Sequence, residues 1–149
     1  MKILLPIDDS KHSEAALQLV VSQIRPLDTE VRVLHVMEPL EYAFPPQMAA
    51  GYAPELDEIQ KERSKQAREL VTRAAEKLRA AGYKTDTAVF EGNIRAVIID
   101  IAADWHADLI VLGSHGRKGL DRFLLGSVSE FVTRHARCSV EIVRLPAHP

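Results

Sequence analysis

The stretch Asp108-Leu109-Ile110-Val111-Leu112-Gly113-Ser114-His115-Gly116, followed nine residues later by Gly126-Ser127, decides how this chain is read. Its first five residues are short, almost wholly apolar and read as a buried, central strand. Val128 to Arg137 reads as a helix, with Val128, Phe131, Val132 and Ala136 along one side. A glycine-rich turn that leaves a strand and ends at a helix start is a common way to cradle phosphate. Backbone N–H groups turn inward, and the helix N-terminus adds partial positive charge. Glycine lets the backbone come close to the anion. Neither G-x-x-x-x-G-K-[ST] nor G-x-G-x-x-G occurs here, so the P-loop and dinucleotide readings lack their motifs.

Working outward, strand-like and helix-like segments alternate. Ile3 to Ile7 reads as a strand ended by the acidic turn Asp8-Asp9-Ser10, and Ser13 to Ile24 as a helix closed by Pro26. Val31 to Met37 is the second strand. Leu56 to Ala81 is a long helix with Gly82 at its C-terminal cap position. Lys84 to Phe90 alternates like a strand with one exposed face, which suits a sheet edge. Ile94, Val97, Ile98, Ile101, Ala102 and Trp105 form the stripe of a third helix, and Ser139 to Val143 is the last strand. The pattern predicts an α/β fold, a mostly parallel sheet with helices on both faces and right-handed crossovers.

The chain has 149 residues, which fits one domain, 1–149. The net charge of −2 offers no general case for nucleic acid or an anionic membrane. No apolar run reaches the ~18 residues of a membrane span, and the first residues lack a signal peptide's apolar region. A cytoplasmic location is the resulting expectation. Cys138 is the sole cysteine, so it is read as a small core residue at the last strand's entrance.

The loop spacing resembles the nucleotide-binding signature of the universal stress protein family, Gly-x2-Gly-x9-Gly-[Ser/Thr]. The opening Lys2-Ile3-Leu4-Leu5-Pro6-Ile7-Asp8-Asp9-Ser10, then Leu34-His35-Val36, then Cys138-Ser139-Val140-Glu141-Ile142-Val143-Arg144 are similar to that family's first, second and last strands. The resemblance covers nearly the whole chain except 38–54. It implies a single Rossmann-like (adenine nucleotide alpha hydrolase-like) open sheet of five parallel strands in the order 3-2-1-4-5. In such a sheet a ligand lies beyond the carboxyl ends of the strands where the order reverses, here between strands 1 and 4. The acidic turn and the glycine loop then share one crevice.

The resemblance further implies ATP, or AMP or ADP, as ligand. Pro6, Ile7 and Val36 would border the adenine, largely through backbone groups, and Asp8 would meet the ribose. Gly113, Ser114, His115, Gly116, Arg117, Gly126, Ser127, Val128 and Ser129 are the phosphate-side candidates. Read from the residues alone, alternatives stay open. Gly113 and Gly116 suit a tight turn, Asp8 suits a helix entry, and Ser127-Val128-Ser129-Glu130 fits a capping box. Lys118 and Arg122 add positive charge to the loop beside Asp121. His35 reads as a packed core histidine, and His12, His106, His135 and His148 show no metal-ligand spacing.

The proline-rich segment 38–54 is expected either as a mobile cover over the nucleotide or as a disordered insertion. No hydrolytic machinery is legible, so at most slow ATP hydrolysis is expected, with Mg²⁺ or Mn²⁺ held through the phosphates. The competing reading is a weak hydrolase or phosphotransferase using Asp8, His115 and a phosphate-bound metal. A phosphorylatable receiver domain would need an Asp and a Lys where Glu91 and Arg144 stand, and 5% aromatic residues argue against a flavin site. The resemblance also implies a homodimer in which Ser139, Val140, Glu141, Ile142 and Val143 pair across a two-fold axis.

Overall fold

A computed structural model describes residues 1–49, 51, 53–117 and 124–146. Five strands form one parallel sheet: β1 (Lys2–Pro6), β2 (Glu30–Met37), β3 (Lys84–Glu91), β4 (Leu109–Gly113) and β5 (Ser139–Val143). Their order is β3-β2-β1-β4-β5, and every pairing is parallel. The sheet is the Rossmann-like arrangement that the sequence pattern and the resemblance imply. The strands of its centre are buried on both faces, which is why Ile3, Leu4, Leu5, Ile110 and Val111 form unbroken apolar runs. β3 lies at one edge, in keeping with its alternating polar residues.

Successive side chains of a strand point to opposite faces, so each strand feeds two cores. Ile3, Leu5, Val31, Val33 and Val111 pack under α1 (Lys11–Gln23) and α3 (Ala53–Ala80). Leu4, Leu34, Ile110 and Leu112 pack under α4 (Ile94–Asp104) and α5 (Ser127–His135). Local chemistry sets the helix ends. Ser10 caps α1, its hydroxyl accepting the Ser13 N–H at 3.2 Å. After α3, Gly82 adopts φ 95° while Tyr83 N–H reaches back to the Leu78 carbonyl at 3.1 Å. Cys138 is half-buried against the second core, as expected of a small strand-entrance residue; burial pushes its thiol up from the usual range.

The segment 38–54, expected as a long loop, holds short helical elements among its described residues. It contains a 3-10 turn, Leu40–Tyr42, the short helix α2, Pro46–Ala49, and the start of α3 at Ala53. The prolines that read as breakers stand at helix starts. Pro46 opens α2 and Pro54 lies in the first turn of α3, where a missing N–H costs nothing and a fixed φ suits the helix. Arg63 of α3 donates to the Glu38 carbonyl at 2.6 Å, tying the segment to that helix.

Leu34 is fully buried between β1 and β3 and packs with Ile98 and Ile110, so Leu34→Ala should lower stability by about 3 kcal/mol. Leu27→Ala, at a residue 82% exposed, should change it by less than about 0.5 kcal/mol. Urea denaturation of both variants checks the assignment of core and surface.

Candidate functional site

The sheet order makes β1 and β4 neighbours while their following helices, α1 and α5, lie on opposite faces. A crevice therefore opens past Pro6 and Gly113, and the acidic turn and the glycine loop meet there. Asp8 is the joint between them. Its Oδ1 accepts the Ser10 N–H at 2.9 Å and the Ser13 hydroxyl at 2.8 Å, while Oδ2 accepts the Arg117 N–H at 3.2 Å. The Arg117 guanidinium pairs with Asp9. Burial alone would raise the Asp8 pKa, but the hydrogen bonds from Ser10, Ser13 and Arg117 outweigh it and hold the carboxyl below its ordinary value.

The glycines are demanded by close approach. A Cβ on Gly113 would lie 2.6 Å from the Cβ of His12 and 2.7 Å from its backbone carbon; one on Gly116 would lie 2.9 Å from Asp8 Oδ2. Both ends of the loop are tied together. Gly126 N–H donates to the Ser114 carbonyl at 2.8 Å, and Ser114 N–H donates to the Val143 carbonyl at 2.8 Å. The start of α5 thus stands directly beside Gly113–Gly116. The backbone N–H groups of Ser127, Val128 and Ser129 are first-turn donors with no intrahelical acceptor, the arrangement that favours an anion.

The capping box expected at Ser127 does not form. Gly126 takes the cap position, and its carbonyl accepts the Glu130 N–H at 2.9 Å; Ser127 becomes the first helical residue, and Glu130 pairs with Arg134 at 2.8 Å. Ser129 follows on the same first turn. It is 2% exposed, and its hydroxyl hydrogen is spent on the carbonyls of Gly113 (2.8 Å) and Ser114 (3.1 Å). Its side chain pins α5 to the loop. Lys118, Asp121 and Arg122 lie outside the described residues.

On the side of the crevice where the base is expected, Ile7 and Val36 are both buried, at 8% and 7% exposure. Ile7 N–H donates to the Leu34 carbonyl at 2.8 Å, and His35 Nδ1 lies 2.7 Å from the Ile7 carbonyl. A carbonyl only accepts, so Nδ1 carries a proton, and His35 is an anchor for Ile7, half-buried and hydrogen-bonded. Both backbone groups of Ile7 are engaged, and its side chain packs in the core beneath α1. Val36 differs. By the two-residue repeat of a strand, its N–H and carbonyl face the same side as the Leu34 carbonyl, beyond the last residue of β1.

Reasoning from sequence passed over His12. Its ring stands 5.3 Å from that of His115, tilted by 54°, and His115 Nδ1 lies 3.1 Å from the Ser114 hydroxyl. Burial, then the neighbouring His115, hold the His12 imidazole below its usual range against the opposing pull of Asp8. The signal was its place directly after Asp8-Asp9-Ser10, but only the sheet order brings that turn to the glycine loop. Among the described residues no three His, Cys, Asp or Glu side chains converge as metal ligands. Nor is any described helix long and apolar enough to cross a membrane.

The universal stress protein family matches residues 1–144. The chain belongs to that family. Universal stress protein MJ0531 of Methanocaldococcus jannaschii is 34% identical over 145 residues, covering 97% of this chain and 82% of its own. Among solved structures, universal stress protein UspA from Lactobacillus plantarum superposes with a TM-score of 0.82 at 25% identity, covering 97% of each chain. An Arabidopsis thaliana universal stress protein family protein, described with AMP bound, shares the fold with a TM-score of 0.70 at 18% identity, covering 99% of this chain and 93% of its own. These likenesses agree with the strand order and with a universal stress protein domain running the length of the match.

Asp8 supplies the chemical test of this geometry. A carboxylate whose pKa is depressed by folding stabilises the fold above its unfolded value of 3.8 and loses that contribution as pH falls through the lower, folded value. Asp8→Asn keeps the shape but removes the charge and turns an N–H toward that of Arg117. It should cost about 1.5 kcal/mol at neutral pH. The gap to wild type should close as the pH drops below 3.8; urea titrations across that range provide the measurement.

Proposed function

We propose that this universal stress protein binds an adenine nucleotide, ATP foremost, in the crevice between β1 and β4, and that it acts as a nucleotide-responsive stress or signalling module. The observation that carries this reading is the closure of the glycine loop on the start of α5. It sets N–H groups of Ser127, Val128 and Ser129 that have no partner among the described residues beside the backbone of Gly113–Gly116. The nucleoside end follows from the same crevice. The outward-facing backbone of Val36, with Ile7 and Pro6 beside it, would border the base, and Asp8 Oδ2, which accepts a single hydrogen bond, would meet the ribose. That a family protein of the same fold holds AMP makes adenine nucleotides the ligands to test first.

A divalent ion would be held by the phosphate oxygens, since the carboxylate nearest the loop, Asp8, already accepts three hydrogen bonds. Among the described residues the crevice offers mainly a clasp, so we expect hydrolysis to be slow. Turnover well above about 1 s⁻¹ would reverse that conclusion in favour of the hydrolase reading.

Calorimetric titration of ATP with Mg²⁺ into nucleotide-stripped protein tests the site. Wild type should bind saturably, and a Gly126→Val, Ser127→Ala variant should lose binding while staying folded. A Cβ at position 126 meets the Ser114 carbonyl oxygen at 3.1 Å and His115 Cα at 3.3 Å, which pushes the two loop ends apart. Retained binding in that variant would place the nucleotide elsewhere.

We further propose a homodimer through β5. It is an edge strand, Ser139–Val143, paired only with β4 among the described residues, and its half-buried Val140 and Ile142 would continue the sheet into a second copy. Val140→Lys or Ile142→Lys should reduce the mass measured by light scattering to that of one chain; an unchanged dimer mass would reject this interface.

A further inference from the structure

Next to the glycine loop lies an open cleft of ≈ 510 Å³. Ser10, Lys11 and His12 line one part of it, Gly116 and Arg117 another, with Asp9 between charges of opposite sign. Its size is that of an ordinary small-ligand site. Gly116 belongs both to the proposed phosphate clasp and to this cleft, so a chain of phosphates leaving the clasp can run into it. We propose that Lys11 and His12, with His115, form a polyphosphate subsite adjoining the clasp and set the preference of the site for a nucleoside triphosphate over a monophosphate. This rests on the nucleotide reading above.

The arrangement of side chains supports it. The two imidazoles approach to 5.3 Å, brought together by a backbone contact so tight that position 113 admits no Cβ. Two such rings repel once protonated, and an anion between them removes that repulsion. The Arg117 guanidinium is paired with Asp9, which neutralises the one carboxylate lining the cleft among the described residues, and Asp8 accepts three donors. Lys11 is exposed and enters no ion pair among the described residues, so its ammonium is available as a point charge for phosphate. The balance of groups facing His12 is therefore Lys11, Arg117 and His115 against Asp8 and Asp9. A terminal phosphate shifts it toward a protonated His12.

The experiment uses the full chain stripped of nucleotide, titrated separately with AMP, ATP and inorganic tripolyphosphate. The variants are Lys11→Met, and Lys11→Met with His12→Gln, which keeps the Cβ that packs on Gly113. Wild type should bind tripolyphosphate, more tightly at pH 6 than at pH 7.5 as His12 takes up a proton beside the anion. The double variant should lose about tenfold in affinity for ATP and for tripolyphosphate, and the ATP-to-AMP preference should fall about tenfold with it. Lys11→Met, at an exposed residue, should show part of that loss with an unchanged urea midpoint. Equal losses for AMP and ATP would make the two residues structural and overturn the subsite, as would unaltered ATP affinity or no uptake of tripolyphosphate by wild type. If wild type takes up tripolyphosphate but neither nucleotide, the nucleotide reading fails while the anion subsite stands.

Discussion

The carboxylate of Asp8 is the constraint on which the arrangement of the crevice depends. A single group at the end of β1 accepts donors from its own turn, Ser10 and Ser13, and from the far loop, Arg117. Buried carboxylates are costly unless saturated with hydrogen bonds, so the position of each donor is dictated by the charge it must satisfy. The glycine at 116 follows directly, because a Cβ there would press on Asp8 Oδ2 at 2.9 Å. The turn thus builds the helix entry and receives the loop with the same atoms. Structural and functional readings of Asp8 are two uses of one lone-pair set.

The rest of the site is assembled by backbone contacts more than by side chains. Gly113 exists because α1 crosses within contact distance of β4, Gly126 because the Ser114 carbonyl approaches it, and Ser129 because two loop carbonyls need a donor. An anion site made of N–H groups needs little reorganisation and has modest demands on side-chain identity. Specificity then has to come from groups placed around the cradle. The backbone of Val36 stands at one end, and the cationic and imidazole side chains of Lys11, His12 and His115 stand at the other. The fold carries both to one edge of the sheet because β1 and β4 are adjacent at the point where strand order reverses.

How much of this was legible differs by residue. The strands and long helices follow from apolar periodicity, and Gly82 and Ser10 act as caps where their types suggest. Pro39, Pro45, Pro46 and Pro54 misled, because proline breaks a helix interior but suits a helix start, and spacing alone does not say which applies. Ser127-Val128-Ser129-Glu130 misled for a related reason. The sequence fits a capping box, yet Gly126 took the cap once its N–H bonded to Ser114. His12 was passed over because its neighbours in space, Gly113 and His115, are about a hundred residues away.

By itself the sequence determined the class of fold, the position of the glycine loop between a buried strand and a helix, and the acidic turn after the first strand. These are local properties: periodicity, turn chemistry and the conformational freedom of glycine act over a few residues. The bonding of Asp8 by donors from two separate loops, the bonding of the Ser129 hydroxyl to two loop carbonyls and the meeting of His12 with His115 were decided only by tertiary structure. Each depends on which strands lie side by side, and that is set by the packing of two cores on opposite faces of one sheet, a property of the whole chain.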